Sequence, residues 1–209
     1  MTVDTIRTGD PVGGGWNAHA KTLVKLLTSL KREHMPLRAV EVGVFRGETS
    51  AHLLQALPDL YLWMVDPWKA AQDGDEWKKS GDRIAKLGQD EMDAVFNEAH
   101  NRTAFAEYRR SIFREPSVMA ATLLADALKD WPNLDGFDLC FIDAEHSYTA
   151  CKADIAAWWP LVRKGGILAG HDYQHRRYKG VTQAVDEWAS LQGLQVTAHR
   201  GKVWSVLKP

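Results

Sequence analysis

The sequence predicts an α/β protein built on a doubly wound, mostly parallel seven-stranded sheet that ends in an antiparallel hairpin. Five apolar runs of strand type are each followed by a helical pattern, as expected for consecutive βα units. Two short strand-like runs near the C-terminus are separated by residues 199–202, which have the composition of a hairpin turn. The 209 residues are 45% hydrophobic and 25% charged, which predicts a single globular domain.

The first elements follow from hydrophobic spacing. Residues 1–16 contain three consecutive glycines and little periodicity, so we expect an N-terminal arm there. Apolar side chains at helical spacing over residues 20–30 predict the first helix, which must end before Pro36. An apolar run at residues 39–42 predicts the first strand, and the helix after it extends to about Leu57.

The next units contain the longest connection in the chain. Residues 61–66 predict the second strand and residues 108–113 the third. Between them, the charged stretch 69–105 is longer than such a connection requires, and its apolar side chains from Met92 to Ala99 have helical spacing. We interpret this stretch as a lid insertion at the carboxyl edge of the sheet, with a solvated surface excursion as the alternative.

The remaining elements are predicted in the same way. They are, in chain order, a buried strand at 137–143, a helix from about 149 to 159, a strand at 167–170, a helix from 181 to about 191, and strand-like runs at 195–198 and 203–207.

The composition limits which cellular compartment and which partners we expect. A net charge of −1 and a pI near 6.7 argue against a nucleic-acid-binding footprint over the whole surface. Cys140 and Cys151 lie in a predicted buried strand and helix, which favours a reducing compartment over a disulfide framework. Charged residues at positions 4 and 7 break any signal peptide, and no apolar run is long enough to span a membrane. We expect a cytoplasmic protein.

The turn after the first strand has the composition of a cofactor-binding loop. Glu41 and Gly43 end the strand, and Gly47 precedes a helix. Glycine lets a ligand approach the backbone, and the free N–H groups of the helix N-terminus lie beside it. The spacing is not that of the dinucleotide fingerprint, which disfavours NAD. Asp66, at the end of the second strand, is placed to accept hydrogen bonds from ribose hydroxyls.

This acid-x-Gly-x-x-x-Gly loop resembles the first motif of the class I S-adenosylmethionine (SAM)-dependent methyltransferases. The five βα units with a closing hairpin resemble their Rossmann-like fold. The resemblance implies SAM as the cofactor, with Trp68 at the adenine and Ser117 near it, although Ser117 also suits a helix N-cap. The cofactor contacts that it implies are Glu41, Gly43, Phe45, Gly47, Asp66, Trp68, Ser117 and Asp143.

Two acids end neighbouring strands of the expected sheet. Asp143 follows the fourth strand and Asp172 the fifth, so their carboxylates should meet at the carboxyl edge. A divalent cation held by oxygen ligands would lower the pKa of an acceptor hydroxyl and stabilise the resulting oxygen charge. The same groups also suit metal-free catalysis, in which His146 is the leading general base and Asp143 orients it.

The segments 142–148, 164–166 and 170–173 resemble the metal-dependent O-methyltransferases related to catechol and macrocin O-methyltransferases. The resemblance implies Mg²⁺ at Asp143 and Asp172, and we expect His171 as the third candidate ligand. His171 stands where the sugar-modifying relatives often have a second aspartate, and imidazole is a softer ligand than carboxylate. The structural alternatives are a helix cap at Asp143, a structural hydrogen bond from His146 and a polar loop residue at His171.

The leading functional hypothesis is methyl transfer from SAM to a hydroxyl of a small molecule, such as a sugar or natural product. The basic run 175–179 suits an anionic substrate or is a solvated loop. An NAD-type oxidoreductase and a non-catalytic SAM-binding domain are the alternatives. The N-terminal arm and the nine tryptophans are compatible with a homodimer.

Overall fold

A seven-stranded sheet forms the centre of the protein. The computed structural model describes residues 18–79, 82–129 and 135–209, and within these its strands, β1 to β7 in chain order, are Leu37–Val42, Leu60–Val65, Arg110–Phe113, Phe137–Ile142, Val162–Gly170, Thr197–Ala198 and Trp204–Leu207. They lie in the order β3-β2-β1-β4-β5-β7-β6. The first five strands pair in parallel, and β7 runs antiparallel to β5 and β6. The predicted fold class is confirmed.

Helices cover both faces of this sheet. The α-helices of the described residues, α1 to α7 in chain order, are Ala18–Ser29, Glu48–Ala56, Glu76–Lys79, Gln89–Arg102, Ser117–Lys129, Tyr148–Trp158 and Lys179–Gln192. Short 3-10 turns occur at Ile84–Lys86, Ala104–Arg109, Trp159–Leu161 and Arg200–Lys202.

The core consists of two apolar layers, one on each face of the sheet. Successive side chains of a strand point to opposite faces, so Ala39 and Val40 of β1 enter different layers. Helices α1, α2 and α4 pack on the layer that contains Ala39, and α5, α6 and α7 pack on the other. The central strands β1 and β4 are buried at every position, as parallel strands between two helical layers are.

The boundaries of two strands differ from the predicted ones. Strand β5 begins at Val162, because Val162 pairs with Phe137 and the Arg163 Nε donates to Asp138 Oδ1 at 2.6 Å. Gly165, with φ 68°, lies within this strand, where the sequence predicted a turn before it. Strand β3 is shorter than predicted, since residues 104–109 form 3-10 turns.

Other sequence-based expectations concern the organisation of the chain. Cys140 on β4 and Cys151 on α6 are buried free thiols. The predicted N-terminal arm lies outside the described residues, so the single-domain organisation with this arm remains a prediction. Within the described ranges, every helix is too short or too polar to cross a bilayer.

Candidate active site

A cavity of about 650 Å³ opens over the carboxyl ends of the parallel strands. Its walls come from the loops after β1, β2, β4 and β5, from α6, and from the segment between β2 and α4. This position is where ligands bind in open α/β sheets, and the volume suits a ligand of nucleoside size. The predicted cofactor residues Glu41, Gly43, Phe45, Asp66 and Ser117 line it, as does Asp143.

The glycines of the loop after β1 are required by packing against the protein itself. Gly43 has φ 90°, and a Cβ there would lie 2.1 Å from the backbone oxygen of Asp143. Gly47 has φ 72°, and a Cβ there would lie 3.0 Å from the Cα of Ala99 on α4. Gly47 does not line the cavity. The loop glycines therefore let the loop pack on the β4 turn and on α4, a reason that the sequence did not reveal.

Asp66 holds this loop in place. Its Oδ2 accepts hydrogen bonds from the backbone N–H groups of Val44 at 3.0 Å and Phe45 at 2.9 Å, and its Oδ1 accepts from Trp68 N at 2.8 Å. Burial raises the pKa of the carboxyl, and these three bonds partly oppose that effect. The two loop bonds use both acceptor positions of Oδ2, whereas Oδ1 has one position left, so Asp66 can hold the loop and also accept a hydrogen bond from one ligand hydroxyl.

Trp68 occupies a different place from the predicted one. Its side chain is fully buried, its Nε1 donates to Phe45 O at 2.8 Å, and its ring packs edge-on against Phe96 at 5.1 Å. It does not line the cavity. This position corrects the prediction that Trp68 contacts adenine, because the indole supports the loop from the core side.

Glu41 is a buried acid at the end of β1. It is 2% exposed, and the Ser50 hydroxyl donates a hydrogen bond to its carboxyl. Burial raises the pKa of Glu41 to about 8, and the nearby carboxylates of Asp143 and Asp66 act in the same direction. At neutral pH the Glu41 carboxyl is therefore largely protonated, and a cationic ligand beside it would favour the ionised form.

Ser117 lies at the far end of the cavity in a hydrogen-bonded pair. Its hydroxyl donates to Asp154 Oδ1 and accepts from Trp158 Nε1 at 2.9 Å. Asp154 also lines the cavity and was missed by the sequence analysis. Its signal was the spacing of α6, where an acid falls on the buried face between Cys151 and Ile155.

The acids after β4 and β5 lie together with two histidines. The Nε2 of His146 lies 2.9 Å from Asp172 Oδ2 and 3.7 Å from Asp143 Oδ1. The Nδ1 of His171 lies 3.4 Å from an oxygen of each aspartate. Among the described residues, Asp143, His146 and Asp172 each offer one potential ligand atom, and these three atoms lie within 4.8 Å of one another. This group contains His146, whereas the metal ligands expected from the sequence were Asp143, His171 and Asp172.

His146 is enclosed by groups from four parts of the chain. Its Nδ1 lies 3.5 Å from Asp82 Oδ2, in the segment between β2 and α4. The Tyr178 ring stacks on it with centroids 4.2 Å apart. Both ring nitrogens are buried, and neither has a partner with hydrogen-bond geometry in the described structure. The helix cap expected of Asp143 is made by Ser147, whose hydroxyl accepts from Ala150 N at 3.2 Å.

The charges of this cluster depend on one another. Burial alone would lower the pKa of His146, but the surrounding carboxylates raise it to about 12. Burial would likewise lower the pKa of His171, and Asp143 and Asp172 raise it to about 10. The two imidazoles in turn hold the pKa of each aspartate below its usual range, to about 2 for Asp143, despite burial. Without another cation, the histidines carry the positive charge of the cluster.

Two further features border the cluster. His19 of α1 lines the cavity, donates to or accepts from Thr49 Oγ1 at 2.7 Å, and lies 4.7 Å from the His171 ring; no sequence pattern pointed to it. In the basic run 175–179, the His175 ring stacks on Tyr178 at 4.8 Å, so an aromatic stack leads from His146 toward the surface.

Solved structures with the same fold include O-methyltransferases. The O-methyltransferase NovP has a TM-score of 0.60 at 17% identity, over 91% of this chain and 79% of that chain. The calicheamicin methyltransferase CalS11 has a TM-score of 0.60 at 17% identity, over 90% and 79%. Cofactor-bound Rv0187 from MTB has a TM-score of 0.58 at 16% identity, over 95% and 82%. At these identities the likeness establishes the fold.

The sequence itself gives the family. No curated protein matches the chain. The methyltransferase-domain family matches residues 40–173, which contain the loop after β1, Asp66, Asp143 and the His171–Asp172 pair. The chain therefore belongs to the methyltransferase-domain family, as a class I SAM-dependent methyltransferase.

Proposed function

We propose that this chain transfers the methyl group of SAM to a hydroxyl oxygen of a small molecule, with a divalent cation bound by Asp143, His146 and Asp172. The observation that carries the proposal is the convergence of these three side chains at the wall of the cofactor cavity. An oxygen nucleophile needs its proton removed or its charge stabilised, and this cluster lies where an acceptor would meet the methyl group.

The arrangement of the cavity supports one orientation of SAM. The amino-acid end of SAM carries an ammonium and a sulfonium, which fit beside Glu41 and would ionise its carboxyl. The ribose then falls at Asp66 and the adenine toward Ser117. Asp143 lines the same cavity on the β4 side, where it would be available to the methyl acceptor.

The donor set fits a cation. The two buried nitrogens of His146 lack hydrogen-bond partners in the described structure, although carboxylate oxygens lie 2.9 to 3.7 Å away. Two carboxylates suit Mg²⁺ or Mn²⁺, and an imidazole shifts the preference toward Mn²⁺. A bound cation would supply Lewis acidity that lowers the pKa of the acceptor hydroxyl. Asp82, at 3.5 Å from the other imidazole nitrogen, would orient the ring as a ligand.

General-base catalysis by His146 without a metal is the competing mechanism. The carboxylates around His146 raise its pKa to about 12, so the imidazole is already protonated at neutral pH. A protonated imidazole cannot accept the proton of an alcohol. The same proton would also have to leave before His146 could bind a cation, so His146 would be a ligand where the cation displaces this proton and a fixed positive charge where it does not.

The acceptor class is suggested by the surroundings of the cluster. The basic run 175–179 lies directly beyond Asp172, and Tyr178 joins it to the cavity by stacking on His146. An acceptor with an anionic group, such as a phosphorylated or nucleotide-linked sugar, would place its charge on Arg176 or Arg177. CalS11 is described as a TDP-rhamnose 3'-O-methyltransferase, which is consistent with this class.

The metal requirement is tested by turnover. Release of S-adenosylhomocysteine (SAH) is measured with a panel of catechols, sugar phosphates and nucleotide sugars, after EDTA and after adding back Mn²⁺ or Mg²⁺. We expect EDTA to abolish turnover, and Asp143→Asn or Asp172→Asn to reduce it by roughly 100-fold or more while SAH affinity changes little, since the cation acts on the acceptor.

The matched control is Asp126→Asn, an exposed aspartate on α5 that pairs with Lys129 and should leave turnover unchanged. Full activity in EDTA with undiminished dependence on Asp143 would reject the cation and retain the aspartate as an orienting group for His146. SAH binding without product from any acceptor in the panel would instead favour a non-catalytic SAM-binding domain.

A further inference from the structure

A second cavity, of about 500 Å³, lies at the edge of the sheet opposite the active site. Leu37, the first residue of β1, lines it, as do Pro58 and Asp59 just before β2. The active-site cavity lies at the other ends of these strands, and their six extended residues span roughly 20 Å. Among the described residues, none lines both cavities, so a ligand of this second cavity would be neither the cofactor nor the methyl acceptor.

Buried arginine atoms without partners are concentrated at this edge. In the part of the chain that the structure describes, five buried side-chain polar atoms lack a hydrogen-bond partner. Two of them belong to His146 of the active site, and the other three are Arg32 Nη2, Arg38 Nε and Arg109 Nε. Buried polar atoms are nearly always paired in native proteins, so a cluster of exceptions needs an explanation.

Arg109 is a buried cation in the wall of the second cavity, and it is 7% exposed. Its Nη1 donates to Leu57 O at 3.3 Å and Leu60 O at 3.4 Å, and its Nη2 donates to Leu54 O at 2.6 Å. These bonds attach the end of α2 to β2, but carbonyls and a helix C-terminus offer only partial negative charge. None of the described carboxylates lies within 4.0 Å of Arg109, so a full positive charge is buried there without a counter-ion.

The neighbouring ion pairs also leave an excess of positive charge. Arg32 Nη1 lies 3.0 Å from Asp135 Oδ2, and its Nη2 lies 3.5 Å from Asp138 Oδ1. Arg38 and Arg163 pair with the same two acids, at 3.0 and 2.6 Å. Three arginines thus share two aspartates, which leaves one positive charge in addition to that of Arg109. The local potential at this edge therefore favours an anion.

Aromatic side chains stand beside these cations at the mouth of the cavity. Tyr61 and Tyr108 line it and are 44% and 79% exposed, and Met35 beside them is 43% exposed. The Arg109 guanidinium carbon lies 5.8 Å from the centroid of the Tyr108 ring. An exposed tyrosine ring offers a flat apolar face on which another ring can stack. The cavity thus combines a site for negative charge with a site for a ring.

We propose that the second cavity binds a small aromatic anion, with its phosphate or carboxylate at Lys31 and Arg32 and its ring against Tyr108. The Lys31 and Arg32 side chains are 46% and 30% exposed, so both can donate to the ligand. Arg109 contributes its uncompensated charge from the cavity wall. The site is independent of methyl transfer, because the two cavities lie at opposite ends of the strands.

The first test uses the full-length protein, labelled with ¹⁵N and saturated with SAH in EDTA to occupy the cofactor site. Amide chemical shifts are followed during titration with phenyl phosphate, benzoate, inorganic phosphate and phenol. We expect phenyl phosphate or benzoate to shift residues 31–37, 57–61 and 105–109, and the tighter of the two identifies the anionic group. Inorganic phosphate and phenol should bind about 10-fold or more weakly, since each offers only one of the two features.

Three results of this titration would overturn the proposal. They are the absence of saturation by either aromatic anion, shifts confined to the loop at residues 43–47, and binding of inorganic phosphate as tight as that of phenyl phosphate. The last would indicate an adventitious ion only. Because the shifts locate the ligand, failure of the methyl-transfer proposal would leave a positive result at the second cavity intact.

The second test uses variants of exposed side chains, which should fold normally. We expect Lys31→Gln and Tyr108→Ala each to weaken binding of the aromatic anion about 10-fold, by loss of a charge-assisted hydrogen bond and of ring stacking. The matched control is Lys129→Gln, which changes a lysine in an exposed ion pair on α5 and should keep the affinity. Arg109→Gln should abolish binding where it folds. Unchanged affinity in both the Lys31 and the Tyr108 variant would overturn the proposal.

Discussion

Glu41 illustrates how a single buried acid links the cofactor site to stability. It lines the cavity at the end of β1, and its carboxyl accepts a hydrogen bond from Ser50. Burial raises its pKa to about 8 from an ordinary value of 4.5. The folded protein without bound cofactor therefore keeps a proton that the unfolded chain releases, so this group makes folding less favourable as pH rises.

The substitution Glu41→Gln should therefore stabilise the cofactor-free protein in a pH-dependent way. Below pH 4.5 the Glu41 carboxyl is protonated in both the folded and the unfolded wild type. The wild type and Glu41→Gln should therefore have similar melting temperatures there. Between pH 4.5 and about 8 the wild type loses stability that the amide keeps, on the order of a few kcal/mol, and above that the difference levels off. Thermal melts in EDTA from pH 4 to 9 measure this.

Asp126→Asn provides the comparison, because Asp126 is exposed on α5 and should show no such trend. A melting-temperature difference for Glu41→Gln that stays constant with pH would contradict the prediction. A variant that becomes progressively less stable than the wild type as pH rises would show that the Glu41 carboxyl is ionised and paired in the folded protein.

At the residue scale, the sequence predicted the acids better than the other site residues. Asp66 and Asp143 directly follow a strand, Asp172 lies two residues beyond one, and Glu41 is the second-to-last residue of β1; parallel strands bring such positions to one edge. The predicted position of Trp68 differs from its place in the structure, because a bulky residue after a strand can turn into the core as easily as toward a ligand.

At the element scale, the hydrophobic runs predicted the strands. The sequence did not show which helix residues line the cavity. Asp154 of α6 and His19 of α1 reach the cavity through helix packing, which depends on residues far apart in sequence. The start of β5 was missed because pairing with Phe137 and the buried Arg163–Asp138 contact extend the strand through a glycine pair. Both are tertiary effects that override local pattern.

The segment between β2 and α4 borders the cavity. Trp77 and Ile84 line it. Asp82 Oδ1 accepts a hydrogen bond from Ile84 N at 3.0 Å, and Asp82 Oδ2 lies 3.5 Å from His146 Nδ1. A hydrogen bond joins the two ends of the segment, in which Gln89 Nε2 donates to Trp68 O at 3.0 Å. We propose, in keeping with the sequence-based interpretation of 69–105, that this segment acts as a lid over the bound cofactor.

A lid should become ordered when the cofactor binds. We expect SAH to slow backbone hydrogen exchange in residues 69–79 and 82–88 several-fold or more, because ligand contacts suppress local opening. Exchange measured by mass spectrometry with and without SAH is the readout, and the hairpin at 197–207 is the internal reference, since it lies apart from the cavity lining. Equal changes in the hairpin and the segment, or none in either, would argue for a surface excursion instead of a lid.

At the scale of the whole molecule, the site joins groups that lie far apart in sequence. The cavity takes residues from the ends of β1 and β2 and from the ends of β4 and β5, on both sides of the point where the strand order reverses. A ligand held between them therefore stabilises the sheet as a unit, as does anything that binds only the folded state. The expected homodimer remains a prediction, which sedimentation analysis would test separately.

This coupling predicts separate increases in melting temperature for the cofactor and the cation. A ligand present at 100 times its dissociation constant adds about 2.7 kcal/mol, which for a chain of this size raises the melting temperature by roughly 5–11 °C. We expect SAH and Mn²⁺ each to produce such a shift in the wild type and in Asp126→Asn. Asp143→Asn and Asp172→Asn should lose the Mn²⁺ shift and keep the SAH shift, each measured against its own ligand-free baseline. A Mn²⁺ shift that survives in both of these variants would place the ion elsewhere on the protein, and no Mn²⁺ shift in the wild type would reject the cation site while leaving the SAM site unaffected.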